Sequence, residues 1–234
     1  GKASPDLGAV VDAIGDARLV AFSEATHMGA SILHVRNQLF LTLARQRGYT
    51  TLAIESGVSE GERLYRYVNG ESSDSAAAAD RGFTWTFNRH HPNRALLRLL
   101  RTHNSTAPGK PLKLYGFDVP GSPGNPEAVR GVTTALEETL RFLALVEPAY
   151  AETLRVRASG FPGLTPKAAI EYYRVLDRTG RDRLTGVVND AVALMERRAE
   201  VYRAATSTTA FVWPHRHAIG ARQVDSWLRI WLAA

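Results

Sequence analysis

Apolar positions in the first half of the chain follow two alternating patterns, short continuous runs and longer stretches with helical spacing. The continuous runs predict buried strands at 18–23, 50–54 and 112–117. The helical spacing predicts amphipathic helices at 5–14, 30–47, 59–68 and 92–103. Strands that alternate with helices in this order are typical of parallel β-α units.

The second half of the chain keeps the helical spacing and shows no further strand pattern. Residues 69–79, which are small and polar, and the Gly- and Pro-rich residues 120–126 are predicted to be loops. Further helices are predicted at 128–146, 149–158, 166–178, 182–205 and 208–232. The predicted fold class is α/β, with a parallel sheet flanked by helices in residues 1–120 and an all-helical subdomain, residues 121–234, that covers the cleft.

Side chains with acid–base chemistry stand at the predicted carboxyl end of each strand. Glu24 and His27 follow the first strand, Glu55 follows the second, and Asp118 follows the third. Since parallel strands end at the same edge of a sheet, we expect these four side chains to line one cleft. Arg36 lies about two turns into the next helix and is predicted to face the same loop. For the acids, a helix cap or a structural ion pair is the alternative interpretation.

Composition narrows the classes of function without naming one. The 234 residues contain no cysteine, which excludes disulfides, thiolate metal sites and a cysteine nucleophile, and favours a cytoplasmic location. The net charge of +6 comes mostly from arginines spread along helices, without the basic block and interleaved aromatics of a nucleic-acid site. No apolar run reaches the length of a membrane span, so we expect neither nucleic acid nor membrane as a partner.

Two further segments combine aromatic rings with histidines. Trp85 and His90 lie in an aromatic and polar stretch before the predicted helix at 92, and Trp213 and His217 lie in the last predicted helix. If both segments border the cleft, they suit a bulky, partly apolar ligand. No histidine pair has the spacing of a zinc motif with a partner glutamate, and we expect neither a metal nor another cofactor.

These residues resemble the erythromycin esterase-like proteins. The resemblance rests on Glu24 and His27 after a strand, on Arg36 nine residues after His27, and on Glu55 at the end of Leu52-Ala-Ile-Glu. The segment Tyr115-Gly-Phe-Asp118 is similar to the family's third-strand signature. The match keeps its order and spacing over residues 5–120 and is looser in the helical half.

The resemblance implies a metal-independent hydrolase. His27 would be the general base that activates water, Glu24 and Glu55 would position the water or the imidazole, and Arg36 would stabilise negative charge. The implied substrate is a small-molecule ester or lactone, for which the family's macrolide lactones are the best-known example. Asp118, Trp85, His90, Trp213 and His217 are the candidate substrate-binding residues.

The sequence departs from the family pattern at points that keep other functions open. Ser23 and Met28 stand where glycines are usual, and Ser31 stands where a glutamate is usual. One alternative is recruitment to natural-product biosynthesis, in which His27 is the base for lactone formation, elimination or cyclisation. The other is a non-catalytic protein that binds a hydrophobic ligand.

The family's second functional histidine would fall beyond Ala234. We therefore expect the natural protein to continue past this residue, so that the helical subdomain is truncated here. On that expectation the tryptophans of the last helix, Trp227 and Trp231, are either exposed or packed against another copy, which makes a homodimer a possibility. If the protein ends at Ala234, His217 is the late histidine that remains.

Overall fold

The computed structural model describes residues 7–24, 29–107, 109–120, 130–161 and 166–232. The chain forms two compact units, of which the first comprises residues 1–54 and 63–115 and the second comprises residues 55–62 and 116–234. Each unit has its own apolar core. The covering of a cleft by residues 121–234 stays a prediction.

Helices dominate the described residues, as the apolar spacing predicts. The α-helices are Gly8–Ile14 (α1), Ala30–Arg47 (α2), Val58–Val68 (α3), Ser75–Gly82 (α4), His91–Thr106 (α5), Arg130–Val146 (α6), Pro148–Arg157 (α7), Pro166–Val175 (α8), Arg178–Arg197 (α9), Ala199–Ala205 (α10) and Thr208–Leu232 (α11). The strands Thr51–Gly57 (β1) and Lys113–Asp118 (β2) pair in parallel. This arrangement confirms the predicted α/β class with an all-helical second half.

The core of the first unit lies where α5 packs against the strands and the end of α3. Leu96 and Leu100 are one turn apart on α5, and both are fully buried. Leu64 on α3 and Leu114 on β2 are buried in the same cluster. The i, i+4 spacing of these leucines puts them on one face of their helix, which is the face that the sequence pattern marks as apolar.

The two strands approach each other closely where Gly116 lies on β2. A side-chain carbon at this position would come within 2.4 Å of the Ser56 carbonyl oxygen and 2.6 Å of the Gly57 carbonyl oxygen. Only glycine fits such a contact with main-chain atoms. β1 continues through Gly57, so that Glu55 lies inside the strand and not directly after it as the sequence predicts.

The prediction of a strand at 18–23 is wrong, because the described residues 19–24 are irregular. The apolar run is only partly covered: Val20 packs against the cluster of Val11, Leu39 and Leu43, but Leu19 is 86% and Phe22 41% exposed. A strand needs a neighbour for its main-chain hydrogen bonds, and an open groove separates this segment from β1. Tyr49 nevertheless holds the start of the segment, since its hydroxyl donates to the Ala17 carbonyl oxygen.

Two other boundaries differ from the sequence prediction. Part of the predicted loop at 69–79 is helical, because Asp74 caps α4 by accepting a hydrogen bond from the Ala77 N–H at 2.8 Å. Alanine favours helix strongly, so a run of alanines after a capping aspartate can begin a helix. The run lacks the spacing of large apolar residues from which helices are predicted. The predicted helix at 182–205 is interrupted at Arg198, which separates α9 from α10.

The second unit is a helical assembly centred on α6, α9 and α11. Leu136, Leu140 and Leu143 follow one face of α6, and all three are buried with Val187 of α9 and Leu228 of α11. In the ranges that the structure describes, every helix is too short or too polar to cross a lipid bilayer.

Candidate functional site

The predicted base, His27, lies outside the described residues, but the structure describes its predicted neighbours Glu24 and Arg36. Both belong to the first unit, where Arg36 projects from the second turn of α2. Burial lowers the pKa of the Arg36 guanidinium to about 10, and the nearby Glu24 carboxylate offsets part of this shift. The effect of Glu24 on this pKa agrees with the predicted position of Arg36 near the polar loop. Arg36 remains a cation at neutral pH.

Two buried asparagines hold the Arg36 guanidinium. Its Nη2 donates to the Asn93 Oδ1 at 2.6 Å and to the Asn37 Oδ1 at 2.8 Å, and its Nε is 3.2 Å from the same Asn37 oxygen. Asn37 is 4% and Asn93 is 1% exposed. The cation is therefore held by neutral amides on two helices, α2 and α5.

Each asparagine is itself fixed through its amide nitrogen. The Asn37 Nδ2 donates to the Pro92 carbonyl oxygen at 2.8 Å, and the Asn93 Nδ2 donates to the Phe87 carbonyl oxygen at 2.9 Å. Neither asparagine is predicted from the sequence. The sequence offers little that would indicate them: Asn37 directly follows Arg36, and Asn93 follows the proline in the first turn of α5.

The aromatic segment before α5 contains a strained turn. Trp85 and Thr86 have φ angles of 57° and 64°, in the left-handed region that side chains other than glycine rarely adopt. Such strain is common at ligand-binding sites. Trp85 packs against the first core, while His90 lies 6.2 Å from the Phe87 ring and its buried Nε2 has no hydrogen-bond partner in the described part of the chain. Their assignment to substrate binding stays a prediction.

A groove of about 780 Å³ opens within the first unit, beside the Arg36 side chain. One wall is the irregular segment that contains Leu19 and Phe22, and the other is the start of β1. Leu39 and Leu43 of α2 form part of its apolar lining. Its volume is in the range that accommodates drug-sized ligands.

The second unit contains the strand-end acids Glu55 and Asp118. Glu55 lies near the carboxyl end of β1, and Asp118 is the last residue of β2, which places both towards the same edge of the sheet. The Asp118 Oδ1 accepts the N–H of Val119 at 2.7 Å, as an acid at a strand end does when it caps a turn. The four-residue cleft with Glu24 and His27 stays a prediction.

His217 of α11 has polar partners on both ring nitrogens. Its Nε2 lies 2.7 Å from the Glu62 Oε2, and its Nδ1 lies 2.9 Å from the Ser59 Oγ. Because a carboxylate only accepts, the Nε2 donates to Glu62. His217 is 2% exposed, and the Trp213 ring lies 6.2 Å away. The two predicted residues of this helix, Trp213 and His217, thus lie side by side. Their neighbours Ser59 and Glu62 are not predicted from the sequence, where only the acidic residues at the start of α3 point to this place.

The described residues contain no group of three or more histidines, aspartates and glutamates arranged to hold a metal ion. The expectation that no metal is required stays a prediction.

Comparison with known proteins identifies a family. The sequence profile described as "Erythromycin esterase" matches residues 44–233. A curated relative, erythromycin esterase type II of Escherichia coli, is 28% identical over 112 residues, which are 48% of this chain. The matched segment, which is about half of this chain, covers 26% of that relative's length.

Solved structures with the same fold extend over nearly the whole chain. A Bacillus cereus protein superposes with a TM-score of 0.74 at 17% identity, and a succinoglycan biosynthesis protein with 0.73 at 15% identity; each match covers 95% of this chain and 50% of the other. A mutant of the erythromycin esterase EreC in its open conformation gives a TM-score of 0.60 at 16% identity, with 88% and 48% covered. This chain spans about half the length of these structures, and the likeness shows the fold.

Proposed function

This chain belongs to the erythromycin esterase family, and on that premise we propose that it is a hydrolase that adds water to an ester or lactone of a bulky natural product such as a macrolide. The observation that carries the proposal is the partly buried Arg36 guanidinium, which is held in place near the Glu24 carboxylate. A fixed cation beside a carboxylate, one helix after the loop that contains His27, fits the arrangement that the family motif implies.

The proposed reaction needs a base, a place for negative charge and a returned proton. His27 takes a proton from water, and the resulting hydroxide attacks the carbonyl carbon, whose oxygen becomes an oxyanion. The Arg36 cation stabilises this oxyanion. The carbon–oxygen bond to the leaving group then breaks, and the His27 imidazolium returns its proton to the alkoxide. Glu24 and Glu55 hold the water or the imidazolium.

The groove beside Arg36 is the proposed substrate-binding site. Its apolar lining from Leu39, Leu43 and Phe22 suits a large ring, and the guanidinium lies at its wall. Trp85 and His90 are further proposed substrate contacts of the first unit, and Asp118, Trp213 and His217 stay candidate substrate-binding residues of the second. A macrolide of about this size loses water-exposed apolar surface in such a groove, which favours binding.

The test is turnover of a macrolide lactone and of simpler aromatic esters, followed by mass spectrometry. A lactone should give one ring-opened product that is heavier by one water molecule, and an acyclic ester should give a carboxylic acid and an alcohol whose masses add up to the ester plus one water. His27→Gln should reduce turnover by roughly two to four orders of magnitude. His34→Gln, which changes an exposed histidine of α2, is the matched control and should leave turnover unchanged.

The outcomes separate the candidate functions. Equal turnover by the wild-type protein and His27→Gln contradicts the proposed mechanism. A product of altered structure without added water favours the biosynthetic alternative, in which His27 is the base of an elimination or cyclisation. Unchanged substrate that co-purifies with the protein favours a binding protein.

A further inference from the structure

We propose that Asn37 and Asn93 are positioning residues, which fix the direction of the Arg36 guanidinium and leave its positive charge available to the substrate. This inference rests on the proposed hydrolase function for its effect on turnover. Its structural part, the orientation of Arg36, can be tested without any substrate.

The direction of each asparagine amide is fixed by its hydrogen-bond partners. An asparagine side chain can rotate its oxygen and nitrogen by half a turn at little cost unless its partners differ. Here the Nδ2 of Asn93 has a carbonyl oxygen as its partner, at 2.9 Å, and the Nδ2 of Asn37 has another at 2.8 Å. Both amide oxygens must therefore face Arg36, and a rotated amide would set two acceptors against each other.

The two amide oxygens that accept from Arg36 carry no net charge. Elsewhere in the described residues arginines meet carboxylates, as Arg157 meets Asp190 at 2.6 Å and Arg141 meets Glu138 at 2.7 Å. A carboxylate acceptor would cancel most of the guanidinium's field, while an amide oxygen orients the cation and leaves its charge in place. The nearby Glu24 carboxylate acts on Arg36 electrostatically, while the acceptors that hold the guanidinium by hydrogen bonds in the described residues are the neutral amides of Asn37 and Asn93. A partly buried cation held in this way is a candidate for a role beyond stability.

The hydrogen bonds with the two asparagines involve only part of the guanidinium. The hydrogen bonds to Asn37 and Asn93 use Nε and Nη2. Among the described residues, no acceptor forms a hydrogen bond with Nη1. Its two protons can therefore face the oxyanion that the proposed reaction creates, with their direction set by the bonds on the opposite edge.

The anchors also connect Arg36 to the aromatic segment. The carbonyl oxygens that fix the amides belong to Phe87 and Pro92, on the two sides of the loop that contains His90. The strained turn at Trp85 and Thr86 precedes this loop directly. The backbone of the segment thus sets the direction of the guanidinium, whatever its side chains contact.

The experiment measures the rotation of the Arg36 guanidinium by NMR of arginine-labelled protein. In the wild-type protein we expect slow rotation about the Nε–Cζ bond. In Asn93→Leu and Asn37→Leu, which keep the side-chain volume, rotation should be at least about tenfold faster, since each variant loses a hydrogen bond to a charged group. Asn104→Leu is the matched control: Asn104 is an asparagine of α5 with its own carbonyl partners, Val68 and Leu112, and its loss should not change the Arg36 signal.

Asn93→Asp separates orientation from charge. It keeps an acceptor for Arg36, so slow rotation should persist, but it places a carboxylate against the cation. The kcat for ester hydrolysis should then fall by roughly tenfold to a hundredfold with little change in KM, as it should in Asn93→Leu.

Each outcome decides a separate part of the inference. Unchanged rotation in folded Asn93→Leu and Asn37→Leu overturns the positioning role. Faster rotation with an unchanged kcat overturns its functional consequence. If the wild-type protein turns over no ester, the proposed function fails by itself, and the NMR comparison still decides whether the asparagines hold Arg36. A variant that does not fold is replaced by Asn93→Ser or Asn37→Ser, which lose the same amide.

Discussion

The His217 Nε2 lies 2.7 Å from the Glu62 Oε2, which joins α11 to α3 through a buried imidazole and a carboxylate far apart in the sequence. Ser59, one turn before Glu62, completes the contact with the second ring nitrogen. A buried polar group that loses its hydrogen-bond partner destabilises the folded protein, so removal of this contact should lower the free energy of unfolding.

Glu62→Gln should lower the free energy of unfolding by about 1–3 kcal/mol, because the imidazole loses a charged acceptor in a buried place. The measurement is urea unfolding followed by circular dichroism. Glu138→Gln is the control, since it breaks the exposed pair with Arg141 and should change stability by less than about 1 kcal/mol. Equal small effects in the two variants would show that the His217 contact contributes no more than a surface pair.

Arg36→Lys should reduce turnover by roughly tenfold to a hundredfold, because an ammonium cannot reproduce the forked contacts with Asn37 and Asn93. The measurement is kcat/KM for the ester that the wild-type protein hydrolyses best. Arg45→Lys on the same helix, at an exposed position, serves as the control. Wild-type turnover in Arg36→Lys would mean that a point charge is sufficient.

The protonation of Arg36 gives a second, independent prediction. Because burial lowers the pKa of Arg36 to about 10, the folded protein loses this charge at a lower pH than the unfolded chain does, and turnover should fall as pH rises through 10. Between these two pH values the unfolded chain binds the extra proton, so the stability of the wild-type protein relative to Arg36→Met should rise with pH. A stability difference that stays constant to pH 12 would contradict the lowered pKa.

Asp225 of α11 should make stability depend on pH in the opposite way. Burial raises the pKa of Asp225, although the hydrogen bond from the Thr185 hydroxyl at 2.5 Å acts against this shift. The folded protein thus keeps the proton to a higher pH than the unfolded chain, whose aspartate has a pKa of 3.8. The contribution is full below that value and is lost as pH rises through the raised pKa. Unfolding of the wild-type protein and Asp225→Asn, compared from pH 3 upwards, should show the wild-type advantage shrinking; a constant difference would contradict it.

Thr86→Gly should raise the free energy of unfolding by up to about 1 kcal/mol, since glycine adopts the φ of 64° without the strain of a β-branched residue. Ser159→Gly, at a φ of 54° in the second unit, is the matched control away from the aromatic segment. If the strain at Thr86 serves ligand binding, Thr86→Gly should weaken binding while Ser159→Gly does not. Wild-type stability in both variants would contradict the strain, and unchanged ligand binding in Thr86→Gly would contradict its role in binding.

The parts of the fold that could be predicted from the sequence are those with local causes. The helical spacing of Leu96 and Leu100 marks the buried face of α5, and the run before Glu55 is indeed a strand. The run from Leu19 to Phe22 has the same local pattern and forms no strand, because a strand depends on a neighbour that the pattern cannot supply.

The same distinction applies to the candidate site. Arg36 and Glu24 could be selected from spacing, because their distance along the chain is short and regular. Asn93 could not, since its contact with Arg36 joins residues 57 positions apart and an asparagine has no pattern of its own. Ser59 and Glu62, which meet His217 across more than 150 positions, were missed for the same reason.

The sheet has a consequence for hydrogen exchange. Successive main-chain N–H groups of a strand point to opposite edges, and in the described residues β1 has a partner only at the edge that faces β2. Its amides should therefore exchange with deuterium at alternating rates, with a period of two residues from Thr51 to Ala53. A molecule that fills the groove should slow the fast members of this series and leave the slow ones unchanged, so the exchange pattern of three residues reports which edge a ligand occupies.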